Sequence, residues 1–401
     1  MNILKLKSDI INYLFIVAIF SAYSLFKISS FYVQIVFVCM IIIYFLSICF
    51  ISFNREKMDT YIITLCFMIY LLLNWLTKSN ATVTSLILVS FYFGLIFLTY
   101  RDIEENKFNK LIDIYIKVVS ILAIYGIYQF FGRKYGLPFS DLRISQHMVG
   151  GFNWSNKINI ANNTYYRSNA ICLEPSFFSQ YLAMNIGFLL VKFDNNLKDY
   201  KIIFLMIINF IALVMSFSGS GVLLLITILL WYFIKNISIK HMLKYLLIGA
   251  LTITIIIMIC LILNKVYLIN NIISYFLSRI NEFHKSKMSG SVRFRESYLN
   301  MMGLISQYPV FGKGIGSTFN WFEIRTSTIA RVTSEIGILG IVLWILFLIS
   351  LVNKNNIKNK YYNIILIFIF LGNILGENFA TAFYWAFIYL VNCKIVFKNK
   401  K

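Results

Sequence analysis

The sequence predicts an all-α fold, namely a bundle of about twelve membrane-spanning helices with two large loops on one side. Hydrophobic residues make up 59% of the chain and charged residues only 13%, whereas a soluble globular chain carries about 25% charged residues. The apolar residues form long runs separated by short basic clusters, which is typical of a multi-pass membrane protein. Because there are 3 prolines and no Gly/Ser/Pro-rich linker, residues 1–401 are expected to form a single integral membrane domain.

The candidate spans follow from length and hydropathy, since a helix needs about 20 predominantly apolar residues to cross the hydrocarbon layer. Twelve segments approach this length: 10–26, 31–53, 61–76, 81–100, 111–131, 170–191, 202–217, 222–234, 245–263, 329–352, 361–375 and 379–396. The seventh and eighth segments are short. They flank the turn Ser218-Gly219-Ser220-Gly221, so they are either two half-spanning helices or one broken span.

The distribution of lysine and arginine predicts the orientation, because cytoplasmic loops of membrane proteins carry an excess of both. With a cytoplasmic N-terminus and twelve alternating spans, twenty cations fall on the cytoplasmic side. The four short turns on the opposite side hold only Lys27 and Lys78. Both termini are therefore expected in the cytoplasm. Much of the formal net charge of +21 follows from this topology and requires no nucleic-acid partner.

Two long polar stretches, 132–169 and 264–328, are expected to be external loops. Their net charges are +4 and +5. The excess of cations expected in cytoplasmic loops does not explain this positive charge on the external side. External loops this basic favour an anionic ligand, and contact with anionic lipid headgroups is the alternative.

The second loop contains two segments with apolar residues at helical spacing, and the later one includes Tyr298, Met301 and Ile305. This spacing predicts amphipathic helices that lie on the membrane surface. The turn that follows, from Pro309 to Gly316, is rich in glycine. Such a turn can present backbone N–H groups to a phosphate, although most glycine-rich turns are only turns.

Several ionisable side chains fall inside or beside the predicted spans, near their external ends: Glu174, Arg331, Glu335 and Glu377. An ionisable group in a span costs about 2.5 kcal/mol or more, so its default interpretation is functional. The alternative for Arg331 and Glu335 is mutual neutralisation, because residues at i and i+4 are neighbours on a helix. Their position favours chemistry at the external face over a carboxylate at the midplane, where a proton-coupled transporter would place it.

Metal and cofactor chemistry is not expected. The six cysteines all lie inside apolar segments, which argues against a disulfide framework or a cysteine-rich metal site. The three histidines are isolated in sequence, which disfavours a multi-histidine metal centre.

Three blocks of the sequence resemble the family of bacterial O-antigen polymerases and ligases. Residues 167–176, Arg-Ser-Asn-Ala-Ile-Cys-Leu-Glu-Pro-Ser, look like the Arg-x6-Glu-Pro-Ser signature of the polymerases. Residues 289–314 resemble the arginine, amphipathic helix and Pro-x-x-Gly-x-Gly block of both branches, and residues 335–340 resemble their Glu-x-Gly-x-x-Gly block. The turn at 218–221 is similar to a small-residue turn of the family.

Two departures from the family pattern are visible. The stretch 325–331 lacks the histidine that ligases carry before the Glu-x-Gly-x-x-Gly block, which favours the polymerase branch. The turn at 218–221 reads Ser-Gly-Ser-Gly where the family often has Ser-Arg, which leaves open the phosphate contact that the family's arginine implies.

The resemblance implies a metal-independent glycosyltransferase that joins oligosaccharide repeat units carried on undecaprenyl diphosphate. It would be a multi-pass protein of the bacterial cytoplasmic (inner) membrane, without a cofactor, acting alongside a flippase and a chain-length regulator. The implied catalytic residues are Glu174, Arg293 and Arg295, and the implied substrate-binding residues are Arg167, Arg143, His147, Lys313, Arg331 and Glu335. Glu174 is either the general base or a structural anchor paired with Arg167.

Three other functions stay open at this point. A ligase would transfer the finished polymer to a lipid or protein acceptor by the same chemistry. A transporter or flippase of lipid-linked sugars belongs to a different class, and the long external loops disfavour it. The last alternative is a non-catalytic partner in a polysaccharide export complex.

Overall fold

The computed structural model describes residues 3–28, 31–48, 55–142, 148–149, 156–160, 163–195, 199–236, 295–318, 324, 327–376 and 378–397. Within these residues the chain forms twelve α-helices: α1 (Ile3–Val17), α2 (Ile35–Ile48), α3 (Met58–Thr77), α4 (Val83–Thr99), α5 (Glu105–Tyr135), α6 (Pro175–Asn195), α7 (Tyr200–Met215), α8 (Gly219–Asn236), α9 (Ser297–Gln307), α10 (Thr328–Ser350), α11 (Lys360–Leu375) and α12 (Ala382–Val391).

Six short strands form three two-stranded sheets. The antiparallel pairs are β1 (Ser24–Ile28) with β2 (Phe31–Gln34) and β4 (Lys157–Ile160) with β5 (Asn163–Tyr166). The parallel pair is β3 (Arg101–Glu104) with β6 (Cys393–Val396).

Helices α3, α5 and α10 are long and apolar enough to cross a membrane, judged by length and composition. Helices α2, α4, α7, α8, α11 and α12 are apolar but shorter. The described chain is thus mostly helical, with the composition of a helical membrane protein. Eleven of the twelve predicted spans overlap one of the twelve helices α1–α12, and the predicted span 245–263 lies outside the described residues.

The all-α prediction is wrong at both ends of the chain. The predicted span 10–26 contains the end of α1 at Val17 and then β1, and the predicted span 379–396 contains α12 and then β6. In both places a short apolar run forms a strand, which hydropathy alone does not separate from a helix.

The loops differ from their prediction in part. Within 264–328, the predicted amphipathic helix containing Met301 is confirmed as α9, and the one upstream of it lies outside the described residues. Within 132–169, the described part holds the end of α5 and the hairpin β4–β5.

Contacts between distant segments divide the helix ends into two groups. The first group, here called the basic end, is joined by four ion pairs: Lys107 with Asp9, Lys192 with Asp113, Lys360 with Asp194 and Lys394 with Glu56. The second group, here called the loop end, is joined by three backbone hydrogen bonds: Val149 to Ala22, Thr82 to Ile315 and Thr328 to Gly376. The partners in each contact are residues that the alternation of spans assigns to a common side.

Buried cations and a parallel strand pair close the basic end. The ammonium group of Lys57 donates to the carbonyl of Leu351 at 3.0 Å, just beyond α10. A cation there interacts favourably with the negative end of the helix dipole. Burial lowers the pKa of Lys57 to about 8. Next to it, the side chain of Asn356 bonds to the backbone of Cys393 and Ile395 and holds β6 against β3.

The core between α3, α4, α10 and α12 is aromatic. The ring of Phe93 lies 4.8 Å from Phe67 and 4.9 Å from Trp385, between ring centroids. Trp344 stands edge-on to Phe379 at 5.1 Å, and its indole N–H donates to Asn373 at 2.9 Å. Edge-to-face pairs of this kind each add about 0.5–1.5 kcal/mol beyond area burial. The hydrogen bond from Trp344 to Asn373 connects α10 to α11.

Candidate functional site

A buried glutamine on α5 shapes the turn that leads into α6. The Oε1 atom of Gln129 accepts the backbone N–H groups of Asn169 and Ala170 at 3.0 and 2.8 Å. Ser168 donates to the carbonyl of Gly126 at 2.8 Å. A Cβ at Gly126 would come within 2.9 Å of the Ser168 hydroxyl oxygen. Glycine at 126 and glutamine at 129 therefore position the segment between Arg167 and Glu174.

Arg167 contacts the C-terminus of one helix, and Glu174 lies at the N-terminus of another. The Nε atom of Arg167 donates to the carbonyl of Ser216 at 3.0 Å, immediately after α7, where the helix dipole is negative. Glu174 immediately precedes α6, where the dipole is positive, and accepts the hydroxyl of Ser176 at 3.0 Å. The prediction that Glu174 lies five residues inside a helix is wrong. Pro175 occupies the first helical position, where a missing N–H has no cost.

The small-residue turn 218–221 contacts the first turn of α6. The hydroxyls of Ser218 and Ser220 lie 3.0 Å apart, and Ser220 approaches the carbonyl of Ser176 at 3.5 Å. A Cβ at Gly221 would lie 2.4 Å from the Cβ of Ser179, so only glycine allows this approach. The N-termini of α6 and α8 thus lie side by side. We call Arg167, Glu174, Ser176, Ser218 and Ser220 the Glu174 cluster.

Arg133, on α5, was not predicted to belong to the site. One guanidinium nitrogen lies 3.1 Å from Asp141, and another approaches the carbonyl of Arg167 at 3.4 Å. Its side chain is almost fully buried. The sequence signal for Arg133 is its position directly after the predicted span 111–131, where the prediction places it in the external loop.

Helix α10 is interrupted at Gly337, which has φ +73° and ψ −172°. The glycine-rich loop lies at this break. It forms four backbone hydrogen bonds with α10 residues before and after Gly337: Ile338 to Pro309, Leu339 to Val310, Lys313 to Ser334 and Gly314 to Glu335. Backbone groups freed by a broken helix at membrane depth must be satisfied by other protein groups. The loop provides these partners.

Helix α3 holds the same loop from its other side. The hydroxyl of Tyr70 donates to the carbonyl of Ile336 at 2.6 Å. The amide of Asn74 donates to the carbonyl of Phe311 at 2.6 Å and accepts the N–H of Ile315 at 2.9 Å. Both are polar residues inside the predicted span 61–76, which is the sequence signal for this contact, and neither is among the predicted site residues.

The carboxylate of Glu335 is fully buried and receives three donors. Its Oε1 accepts from Arg331 Nε at 3.1 Å and from the hydroxyl of Thr318 at 2.6 Å. Its Oε2 accepts the N–H of Gly316 at 2.9 Å. Arg331 and Glu335 therefore neutralise each other at i and i+4, and the carboxylate fixes the end of the glycine-rich loop. We call these four residues the Glu335 cluster.

The glycine-rich loop does not offer the phosphate cradle that its sequence suggested. The N–H groups of Lys313, Gly314, Ile315 and Gly316 donate to Ser334, Glu335, Asn74 and the Glu335 carboxylate. These four donors are therefore not available to a phosphate. The side chain of Lys313 is half-buried beside them.

Helix α9 begins next to a charged and a polar residue. Arg295 is exposed, two residues before the helix, and Ser297 is fully buried. Among the residues that the structure describes, none is a hydrogen-bond partner of the Ser297 hydroxyl oxygen. Tyr298 approaches Ser327 at 3.5 Å between hydroxyl oxygens, which connects α9 to the start of α10. The remaining predicted site residues, Arg143, His147 and Arg293, lie outside the described residues.

The two clusters are on the loop end and are connected through α11, which packs against both α6 and α10. In the part of the chain that the structure describes, no three His, Cys, Asp or Glu side chains are grouped as metal ligands. The chain matches no protein-family model, and no curated protein is similar to it at a significant level.

Proposed function

We propose that this protein is a surface-polysaccharide polymerase of the bacterial cytoplasmic membrane that joins undecaprenyl-diphosphate-linked repeat units at the outer face. One observation supports the proposal above the others. The blocks that carry the family resemblance lie in contacting pairs: the 218–221 turn lies against the start of the Glu-Pro-Ser helix, and the Pro-x-x-Gly-x-Gly block is hydrogen-bonded to the Glu-x-Gly-x-x-Gly block. Blocks of one functional region are expected to meet in this way.

The proposed reaction needs a base and a cationic clamp. A hydroxyl of the incoming repeat unit attacks the anomeric carbon of the donor sugar, and the bond from that carbon to the diphosphate oxygen breaks. The hydroxyl proton passes to a base, and Glu174 is our candidate. Charge develops on the departing diphosphate, where arginine offers a permanent positive charge and a bidentate fork.

Glu335 and Glu174 receive different roles in this proposal. All three described donors to Glu335 are protein groups, so we assign Glu335 and Arg331 the role of an anchor for the loop that carries Lys313. Glu174 lies at a helix N-terminus in the turn region, half-buried, where a substrate hydroxyl can reach it. Arg167, Lys313, Arg143 and His147 are the proposed contacts to the substrate.

Deleting the gene tests the function as a whole. Loss of a polymerase leaves surface glycolipid capped with a single repeat unit. Loss of a ligase leaves no repeat unit attached. An unchanged ladder of chain lengths would contradict both functions, and restoration by a plasmid copy is the control.

The first residue prediction concerns the clamp. Arg295→Ala is expected to reduce polymerisation on the order of 10²–10³-fold, because a preorganised charge contact to the leaving group is lost. Arg295→Lys keeps the charge but loses the planar fork, so an intermediate defect is expected. The measurement is ladder length, normalised to the amount of protein in the membrane.

Lys358→Ala is the matched control, since Lys358 is an exposed cation at the basic end. It is expected to leave the ladder unchanged. Arg293, outside the described residues, receives the same pair of substitutions. Full-length ladders from both alanine variants would remove the clamp from this loop and leave Arg167 as the candidate.

The second prediction concerns orientation. A cysteine at Asn156, at the loop end, is expected to react with a membrane-impermeant maleimide in intact cells, and so is one at Ser286. A cysteine at Asn355, exposed at the basic end, should react only after lysis. The parent chain without an added cysteine is the control. The reverse pattern at 156 and 355 would invert the proposed topology.

A further inference from the structure

The segment after α5 folds back along that helix. α5 ends at Tyr135, and Gly136 adopts φ +66° and ends the helix. The chain then runs back alongside α5 towards the start of that helix, because the hydroxyl of Tyr125 donates to the carbonyl of Phe139 at 3.2 Å. Tyr125 lies about 15 Å before the end of α5 along the helix axis. Residues 136–142 therefore lie beside the membrane-spanning part of α5 and not beyond it.

Three tyrosines and one ion pair fix this segment. Besides Tyr125, the hydroxyl of Tyr128 donates to the carbonyl of Pro138, and that of Tyr23 donates to the carbonyl of Leu142 at 3.1 Å. Arg133 and Asp141 add an ion pair at 3.1 Å. All these contacts involve backbone or charged groups of the segment, and they leave its apolar side chains directed away from the bundle.

The apolar side chains of the segment are exposed. Phe139 is 78% exposed, Leu142 43% and Leu137 42%. Phe139 also has φ +57°, which for a bulky residue costs of order 1–3 kcal/mol. The chain thus holds a large aromatic ring in a strained conformation without packing it against its own core. An exposed apolar group maintained in this way indicates a binding surface.

The surroundings identify the occupant as phospholipid. The segment lies beside α5, and α5 carries a row of exposed apolar residues at helical spacing: Ile121, Ile124, Tyr128 and Phe131. α5 is one of the helices long and apolar enough to cross a membrane. Tyrosine rings and the nearby Lys134 lie at the top of this row, as in the belt that contacts lipid headgroups.

We propose that residues 136–142 form a lipid wedge, in which Phe139, flanked by Leu137 and Leu142, inserts into the phospholipid leaflet at the loop end. The wedge fixes the depth of α5 in the bilayer at the helix end that carries Arg133. It is an interaction surface separate from the proposed reaction, so its test does not depend on polymerase activity.

Photo-crosslinking tests the wedge directly. The full chain carries p-benzoyl-phenylalanine at 139, 121 or 355 and is reconstituted into vesicles of phosphatidylethanolamine and phosphatidylglycerol. After irradiation, mass spectrometry is expected to find phospholipid adducts at 139 to a similar extent as at 121, in the middle of α5, and none at 355. Absence of a lipid adduct at 139 with normal labelling at 121, or a crosslinked dimer at 139 in its place, would overturn the proposal.

A stability measurement separates lipid binding from a role in folding. Phe139→Gly removes the side chain and relieves the positive φ, which glycine adopts without strain. In detergent, its unfolding temperature is expected to equal or exceed that of the parent chain. A fall of several degrees would show that Phe139 packs within the protein and would overturn the wedge.

Discussion

Glu335→Ala is expected to prevent most of the protein from accumulating in a folded form. The substitution removes the carboxylate that accepts from the buried Nε of Arg331, from the N–H of Gly316 and from the hydroxyl of Thr318. Breaking a buried pair from one side typically costs about 3–5 kcal/mol. The measurements are the amount of protein in the membrane and the unfolding temperature in detergent.

Two further variants make this prediction specific. Glu335→Gln keeps the shape and one acceptor oxygen, so an intermediate loss is expected. Glu104→Ala removes an exposed carboxylate at the basic end, and a surface change of this kind usually stays within about ±0.5 kcal/mol. If Glu335→Ala unfolded at the temperature of the parent chain, the carboxylate would not be the anchor of the loop.

Gly337→Ala is expected to displace the glycine-rich loop from the break in α10. A Cβ at Gly337 would lie 2.2 Å from the carbonyl oxygen of Val310. The combination of φ +73° and ψ −172° is essentially restricted to glycine, and it adds on the order of 1–3 kcal/mol of strain for another residue. Because the clash involves backbone atoms, a side-chain rotation does not relieve it. The expected results are a lower unfolding temperature, faster proteolysis after Lys313 and loss of the proposed activity.

Gly303→Ala is the matched control for this substitution. Gly303 lies within α9, and a Cβ there meets nothing within 4 Å. Alanine is favoured over glycine in a helix by about 1 kcal/mol, so this variant is expected to be as stable as the parent chain or more stable. Equal unfolding temperatures for the two variants would contradict the steric argument.

The helices could be predicted because a membrane span is encoded in composition over about 20 residues. Their boundaries depend on single residues instead. Pro175 sets the start of α6, and Gly136 ends α5 four residues after the predicted loop begins. The strand β6 could not be predicted, because its parallel pairing with β3 depends on residues almost 300 positions away in the sequence.

Some features of the two clusters can be predicted from the sequence, and their contacts with distant segments cannot. The i,i+4 pair of Arg331 and Glu335 is visible in the sequence, and so is the neighbourhood of Glu174 and Pro175. Which donors reach Glu335 depends on a loop and on α3, so the sequence could not distinguish an anchor from a ligand. Polar residues in apolar spans, such as Asn74 and Gln129, were the available indication of these contacts.

The pairing of β6 with β3 has a consequence for the order of assembly during synthesis. Residues 101–104 of β3 are synthesised long before residues 393–396 of β6. Until then, Ile103 and the buried part of Arg101 have no strand beside them, and Asn356 has no partner in Cys393. Contacts so distant in sequence form late. The basic end is therefore completed only after residues 393–396 have been synthesised, and until then the buried edge of β3 stays uncovered.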